Sequence, residues 1–319
     1  VENLFDNKDD PGKDDRTYLP AAAKRSRAHK DACAQIESDY WREQCLYWDW
    51  SDQIVDRKLR VIAAAILQVD GGRGPDIVAL QEVENIAILE RLRTEHLADA
   101  GFVASVLVEG RDDRGIDVAF LSKLPLAGDP ALHDITFTGN IDDREKDTRG
   151  ILQADFELPD GGVLTGFAVH FPAPYHPTPM RVAAYEHLAT LRDALPDDHH
   201  VFAAGDFNTT SSEDARENML DIYARPHWTV THDLGCGDCK GTYYYGRDGT
   251  WSFLDMILFS PARGENATTE IRADSVGIAN RNPAQVSPDS VPQRYRSAEK
   301  TGVSDHWPLV ATIEMSGKQ

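Results

Sequence analysis

The sequence lacks any apolar run long enough to cross a bilayer: its longest, residues 61–69, is less than half of the roughly 20 residues a spanning helix needs. No membrane span is expected. Positive charge is in short supply, with 33 Lys and Arg against 53 Asp and Glu and a formal net charge of −20. Such a surface repels nucleic acid and anionic lipid on average, which excludes a passive nucleic-acid coat protein. Glycine and proline, at 23 and 17 of 319 residues, are too few for a collagen-like or mainly disordered chain. No internal repeat or low-complexity linker divides the chain, and its length alone suggests one large domain or two small ones. No signal peptide opens it; the sequence starts at Val1 in mid-motif, and an upstream piece that would carry any export signal is expected.

Cysteine is scarce as well. Its four copies form two sequence-local pairs, Cys33/Cys45 and Cys236/Cys239. Local pairing predicts two small disulfide loops and an oxidising compartment, periplasmic or extracellular. Free thiols and a four-thiolate zinc site are the rivals, but Cys33 and Cys45 lie too far apart for a zinc knuckle. Cys236-Gly-Asp-Cys239 mimics a redox pair without the preceding strand and following helix such a pair needs.

What is present is alternation of short apolar runs with a few amphipathic stretches. Strands are predicted over Asp76–Gln81, Phe102–Val108, Asp117–Ser122, Ile151–Phe156, Val163–Phe171, His200–Gly205, Phe253–Phe259, Thr269–Ser275 and Trp307–Glu314. Helices are predicted from Ser51 to Gln68, Ile86 to Leu97, Pro179 to Leu195 and Ser212 to Tyr223. The mixture points to a layered α/β (α+β) fold. Residues 6–50 read as an inserted surface excursion, whose polar first part, Asp6 to Lys30, carries no core. The aromatic residues of Asp31 to Trp50 read as packing rather than a base-stacking platform. The stretch 280–301, rich in Pro, Ser and Asn, reads as a mobile loop beside a site.

Polar residues repeatedly end the apolar runs: Glu2, Glu82, His170, Asp206 and Asn208, Asp255, and Asp305-His306. One acid at a strand end is ordinarily a cap. Several in one chain demand more, because packed sheets gather strand ends at a rim where carboxylates repel unless a cation sits among them. An oxygen-rich cluster suits Mg²⁺ or Mn²⁺ better than zinc, and admits Ca²⁺. Asp206 and Asn208 could respectively accept a proton from water and hold that water, while Asp255 would orient His306 and favour its cationic form.

Glu2 in VENLFD, Glu82 in LQEVEN, RGIDVAFLSK from Arg114, GDFN at Asp206 to Asn208, Leu254-Asp255 and SDHWP from Ser304 together resemble, in order and spacing, the motif series of the endonuclease/exonuclease/phosphatase superfamily. The resemblance implies a four-layer α/β sandwich, two mixed β-sheets face to face with helices outside, forming a single domain over residues 1–319. It implies divalent-metal-dependent hydrolysis of a phosphoester by in-line attack of water. Carried over by position, Glu82 is the principal metal ligand, with Glu2 and Asp305 near the same ion. Asp206 aligns and deprotonates the water with Asn208. His306, oriented by Asp255, binds the scissile phosphate, and His170 assists. Arg114 and Arg149 stand where the family often has phosphate-facing basic groups, with an ordinary ion pair as the alternative for each. The Asn that the family places two residues before the acid matching Glu2 falls upstream of Val1.

A nuclease is the first expectation, a phosphatase or phosphodiesterase for a small molecule or lipid headgroup the second, and a catalytically silent binding module the third. Arg281, Arg294, Arg296 and Lys300 are expected to form a basic rim that offsets the acidic surface for nucleic acid. No protein partner is implied, and a monomer is expected.

Overall fold

The computed structural model describes residues 1–137, 148–262 and 269–315. After the short helices α1 (Arg27–Cys33) and α2 (Asp39–Tyr47), helix α3 (Asp52–Leu67) leads into β1 (Ile77–Val83) and α4 (Ile86–Arg91). Strands β2 (Ala104–Leu107) and β3 (Asp117–Ser122) complete an antiparallel sheet ordered β1-β3-β2. The second sheet is mixed. It holds β4 (Ala131–His133), β5 (Ile151–Glu157), β6 (Val163–His170), β7 (His200–Asp206) and β8 (Thr229–Val230), with helices α5 (Thr178–Asp193) and α6 (Ser211–Glu217) in the connections. A hairpin of β9 (Tyr243–Tyr245) and β10 (Thr250–Ser252) precedes β11 (Asp255–Ser260), which inserts between β7 and β8 to give the order β4-β5-β6-β7-β11-β8. Strands β12 (Thr269–Ile278) and β13 (Leu309–Met315) pair antiparallel.

Alternation along the strands builds the layers. In β3, Val118 and Phe120 face one way and Ala119 and Leu121 the other, as the two-residue period requires. Val118 and Phe120 join Leu152, Ala154 and Phe156 of β5, Ala168 of β6 and Phe202 and Ala204 of β7 in a core between the sheets. There Phe120 meets Phe156 and Phe202 edge-on, at ring separations of 5.5 and 5.9 Å. Ala119 and Leu121 instead pack with Leu59 and Ile62 of α3 and Ile88 and Leu89 of α4. On the far side Val201 and Ala203 of β7 meet Ala184, Tyr185 and Leu188 of α5. Three cores between successive layers make four layers, helix, sheet, sheet, helix, with no residue of β3 left exposed.

The excursion is not coreless. Tyr18 stacks on Phe5 at 3.9 Å, Trp50 meets Tyr18 edge-on, and the Trp50 indole N–H donates to the Phe5 carbonyl at 3.0 Å. All three rings are buried with α3. Their spacing follows neither a helix nor a strand, so periodicity could not reveal them. Trp50 bears out packing, whereas Tyr40, Trp41 and Tyr47 of α2 stay exposed. Cys33–Cys45 and Cys236–Cys239 are both closed as disulfides, which removes the free-thiol and zinc readings. Disulfides of this kind persist in oxidising surroundings. Among the described residues no helix is long and apolar enough to cross a membrane.

Candidate active site

Register brings the catalytic candidates to one end of the mixed sheet. Parallel pairing sets His170, the last residue of β6, beside Asp206, the last of β7, and antiparallel pairing sets Asp255, the first of β11, on the other side of Asp206. Gly205 makes the turn possible. Its φ is +145°, and a Cβ there would lie 2.0 Å from the Val169 carbonyl oxygen, a clash no side chain survives. Asn208 follows in the left-handed region at φ 51°, its amide donating to the Phe171 carbonyl at 3.0 Å and its backbone N–H to Asp206 Oδ1 at 2.8 Å.

His306 arrives from the loop before β13, bridged by its backbone to Tyr243. Its Nδ1 lies 2.6 Å from Asp255 Oδ2. Burial alone would lower the imidazole pKa, but Asp255, by charge and hydrogen bond, and then Asp305 and Asp206 raise it to about 10, so the ring is cationic at neutral pH. Burial pushes the Asp206 carboxyl up to about 7, against the His306 charge that favours its ionisation. His170 Nε2 stands 3.5 Å from Asp206 Oδ2. Burial, reinforced by Arg149, holds His170 well below its ordinary value and therefore neutral.

Glu82 occupies a β-bulge: Gln81 pairs with Val118 and Val83 with Asp117, leaving Glu82 unpaired between them at φ 62°. A bulge of this kind re-aims a side chain, and a left-handed Glu is backbone strain found chiefly where function needs it. The Asn3 N–H donates to Glu82 Oε2 at 2.8 Å, and Arg114 donates to the Asn3 side chain at 2.5 Å. Burial would raise the Glu82 carboxyl, but the Arg114 guanidinium above all holds it down at about 2, an ionised hard donor. That fits a divalent cation such as Mg²⁺.

Glu2 and Asp305 do not close on Glu82 as a tight trio. Among the described residues, the sets of potential metal ligands whose donor atoms lie within 4.8 Å of one another do not include them. Both carboxylates converge instead on Arg294, which pairs with Glu2 at 2.7 Å and with Asp305. Tyr295 N–H donates to the other Glu2 oxygen at 2.9 Å, and Lys58 Nζ to the Glu2 carbonyl at 2.6 Å. Arg294 and Tyr295 of segment 280–301 are thus fastened to Glu2 and Asp305. Arg294 is committed to the acids instead of extending a basic rim, and sequence reasoning missed this: an arginine in a polar loop carries no periodicity that would mark its target. Lys58 was missed too, hidden as the charged member of an amphipathic helix yet 1% exposed. Arg149 is buried against Asp112 at 3.2 Å, the ion-pair alternative, while Arg114 lies with Asn3 and Glu82.

The family model described as the Endonuclease/Exonuclease/phosphatase family matches residues 53–306. No curated protein matches the chain. Among solved structures, an endonuclease/exonuclease/phosphatase from Beutenbergia cavernae is 19% identical with a TM-score of 0.58, covering 82% of this chain and 67% of its own. Humanised D. rerio TDP2 is 15% identical with a TM-score of 0.59, covering 83% and 94%. The mannosyl-6-phosphatase of Bacteroides thetaiotaomicron is 17% identical with a TM-score of 0.53, covering 82% and 91%.

Proposed function

Since the chain belongs to the endonuclease/exonuclease/phosphatase family of phosphoester hydrolases, we propose that it is a metal-dependent phosphodiesterase cleaving nucleic-acid strands by direct attack of water. The reading rests on one juxtaposition: a His306 held cationic by Asp255 beside an Asp206 whose carboxyl is poised near neutrality. A base works best when its pKa lies close to the working pH, and a fixed cation offsets charge that develops on a phosphoryl oxygen. Asp206 takes the proton of the attacking water at its Oδ2, while the Asn208 N–H holds Oδ1 and so orients the carboxylate. His306 binds the phosphate. Neutral His170, its Nε2 3.5 Å from Asp206 Oδ2, keeps that carboxylate aligned. Glu82 would hold Mg²⁺ or Mn²⁺, with Glu2 and Asp305 joining as Arg294 yields them; the ion, when bound, supplies Lewis-acid polarisation of the phosphate. Arg114 orders Asn3 and Glu82 and is the basic group proposed to face the phosphate, whereas Arg149, paired to Asp112, acts on the site by its field.

A strand of nucleic acid is favoured by the tyrosines around this centre. Tyr243 and Tyr245 sit edge-on at 4.7 Å, Tyr243 lies 4.8 Å from the His306 ring, and Tyr175 is 74% exposed. Aromatic faces at a phosphate site offer stacking to unpaired bases. The TDP2 relative that was crystallised with a single-strand DNA product has the same fold at 14% identity and a TM-score of 0.57. The closed disulfides suit a periplasmic or secreted enzyme. The net charge of −20 favours the second reading, a small phosphoester.

Hydrolysis of single-stranded DNA, bis-p-nitrophenyl phosphate and p-nitrophenyl phosphate, each with Mg²⁺ or EDTA, separates the two. The DNA and the diester are expected to be cut and the monoester spared; a preference for the monoester would overturn the assignment. Asp206→Asn should lower turnover by about 10³-fold or more with a melting temperature unchanged or raised, and a variant of near-normal rate would remove Asp206 as the base.

A further inference from the structure

A second group of carboxylates lies outside the proposed catalytic centre. Asp10, Asp15 and Glu84 bring carboxylate oxygens to within 4.8 Å of one another, Asp15 and Glu84 being only 1% and 3% exposed. One oxygen of each buried member, Asp15 Oδ1 and Glu84 Oε1, has no hydrogen-bond partner. Their other oxygens are engaged by main chain: the Asp10 N–H donates to Asp15 Oδ2 at 2.7 Å and the Asp6 N–H to Glu84 Oε2 at 2.6 Å. Among the described residues no Lys, Arg or His pairs with any of the three; Lys8 pairs with Asp6, and Lys13 donates to the carbonyls of Gly110 and Asp112. Buried carboxylates with unfilled lone pairs and no counter-charge are costly, and a cation is what such a cradle accepts.

We propose that Asp10, Asp15 and Glu84 form a structural Ca²⁺ site that locks the loop of residues 6–15 onto the end of β1. The donors are all oxygen, which excludes soft metals, and they come from an irregular loop, a setting that suits the variable coordination of Ca²⁺ better than the strict octahedron of Mg²⁺. Asp10 is half-buried and leaves the outer side of the ion to water or to loop carbonyls. The site is distinct from the catalytic one. Glu84 contacts the Asp6 main chain and Asn85, while Glu82, two residues earlier, contacts Asn3. Its consequence is mechanical: the Leu4 N–H donates to the Glu82 carbonyl at 2.8 Å and the Glu84 N–H to the Leu4 carbonyl at 3.0 Å, so a cation held by Glu84 fixes the segment that also presents Glu2 and Asn3 to the proposed catalytic centre.

The test is calorimetric titration of EDTA-stripped protein with CaCl₂ in excess Mg²⁺, carried out on Glu82→Gln so that the proposed catalytic ligand is absent. One equivalent of Ca²⁺ should bind, Asp15→Asn should abolish binding, and Asp10→Asn, at a half-exposed position that folding tolerates, should weaken it by about tenfold or more, since affinity follows ligand charge. No Ca²⁺ heat in the Glu82→Gln protein, or an affinity unaltered by Asp10→Asn in a protein with native circular dichroism, would overturn the proposal.

Discussion

Two neighbouring groups in the proposed catalytic centre are shifted in useful directions, Asp206 upward by burial and His306 upward by Asp255 above all, against its own burial. Asp206, dragged up to about 7, is ionised only from neutrality upward; His306, carried to about 10, stays cationic through that range. If Asp206 is the base, only its ionised form works, so the sign is fixed: kcat/KM should be level above about pH 7 and fall about tenfold per unit below it. A profile flat down to pH 5 would show that no group of this pKa takes the proton. The pairing of Asp255 with His306 was legible in the sequence because both lie at strand ends whose apolar runs are plain. Arg294 was not. It acts through loop geometry alone, gripping Glu2 and Asp305; burial and then Asp305 lift Glu2 to about 7 even against the Arg294 charge.

At the scale of elements, β3 shows how the fold stores polar cost next to the site. The run DVAFLS is buried on both faces, and its first residue, Asp117, is 4% exposed. Burial raises its carboxyl to about 7 although the Gly110 N–H, at 2.9 Å, favours the ionised form. A carboxyl raised from an unfolded value near 3.8 binds its proton more tightly in the native state, so the stability it contributes is present at low pH and is lost as pH rises through about 7. Asp117→Asn keeps the acceptor and drops the charge. Its melting temperature should exceed the parent's by about 5 °C at pH 8 and match it at pH 4; equal values at both pH would mean that the carboxylate is compensated. Strand β3 was predicted with its observed ends because an unbroken apolar run needs no context. The bulge at Glu82 was invisible, since it depends on which residues of β3 lie opposite, and the helix predicted over Ile86–Leu97 changes to a wider π turn after Arg91. The buried Tyr18 was hidden by the polar residues around it, a case where one ring outweighs local composition.

For the whole molecule, the balance of 33 basic and 53 acidic residues weighs more because Arg294, one of the four basic residues of segment 280–301 expected to offset it, is paired with Glu2 and Asp305, while Arg281, Arg296 and Lys300 stay exposed. Arg294 is paired, and Arg57 donates to the Lys300 carbonyl at 2.8 Å, which ties the end of the loop to α3. Binding a polyanion then works against the overall field, with stacking on Tyr175, Tyr243 and Tyr245 and the few charges at His306 and Arg114 as the attraction. Raising the ionic strength from about 0.01 M to about 0.1 M shortens the Debye length from about 30 Å to about 10 Å, which screens the long-range repulsion more than the close contacts. The kcat/KM for single-stranded DNA should therefore rise over that range, while that for the singly charged bis-p-nitrophenyl phosphate changes little. A steep fall with salt on DNA alone is the signature of counterions displaced by a cationic track. That outcome would mean the basic residues of the surface gather along the substrate path after all, and that net charge is a poor guide to this enzyme's substrate.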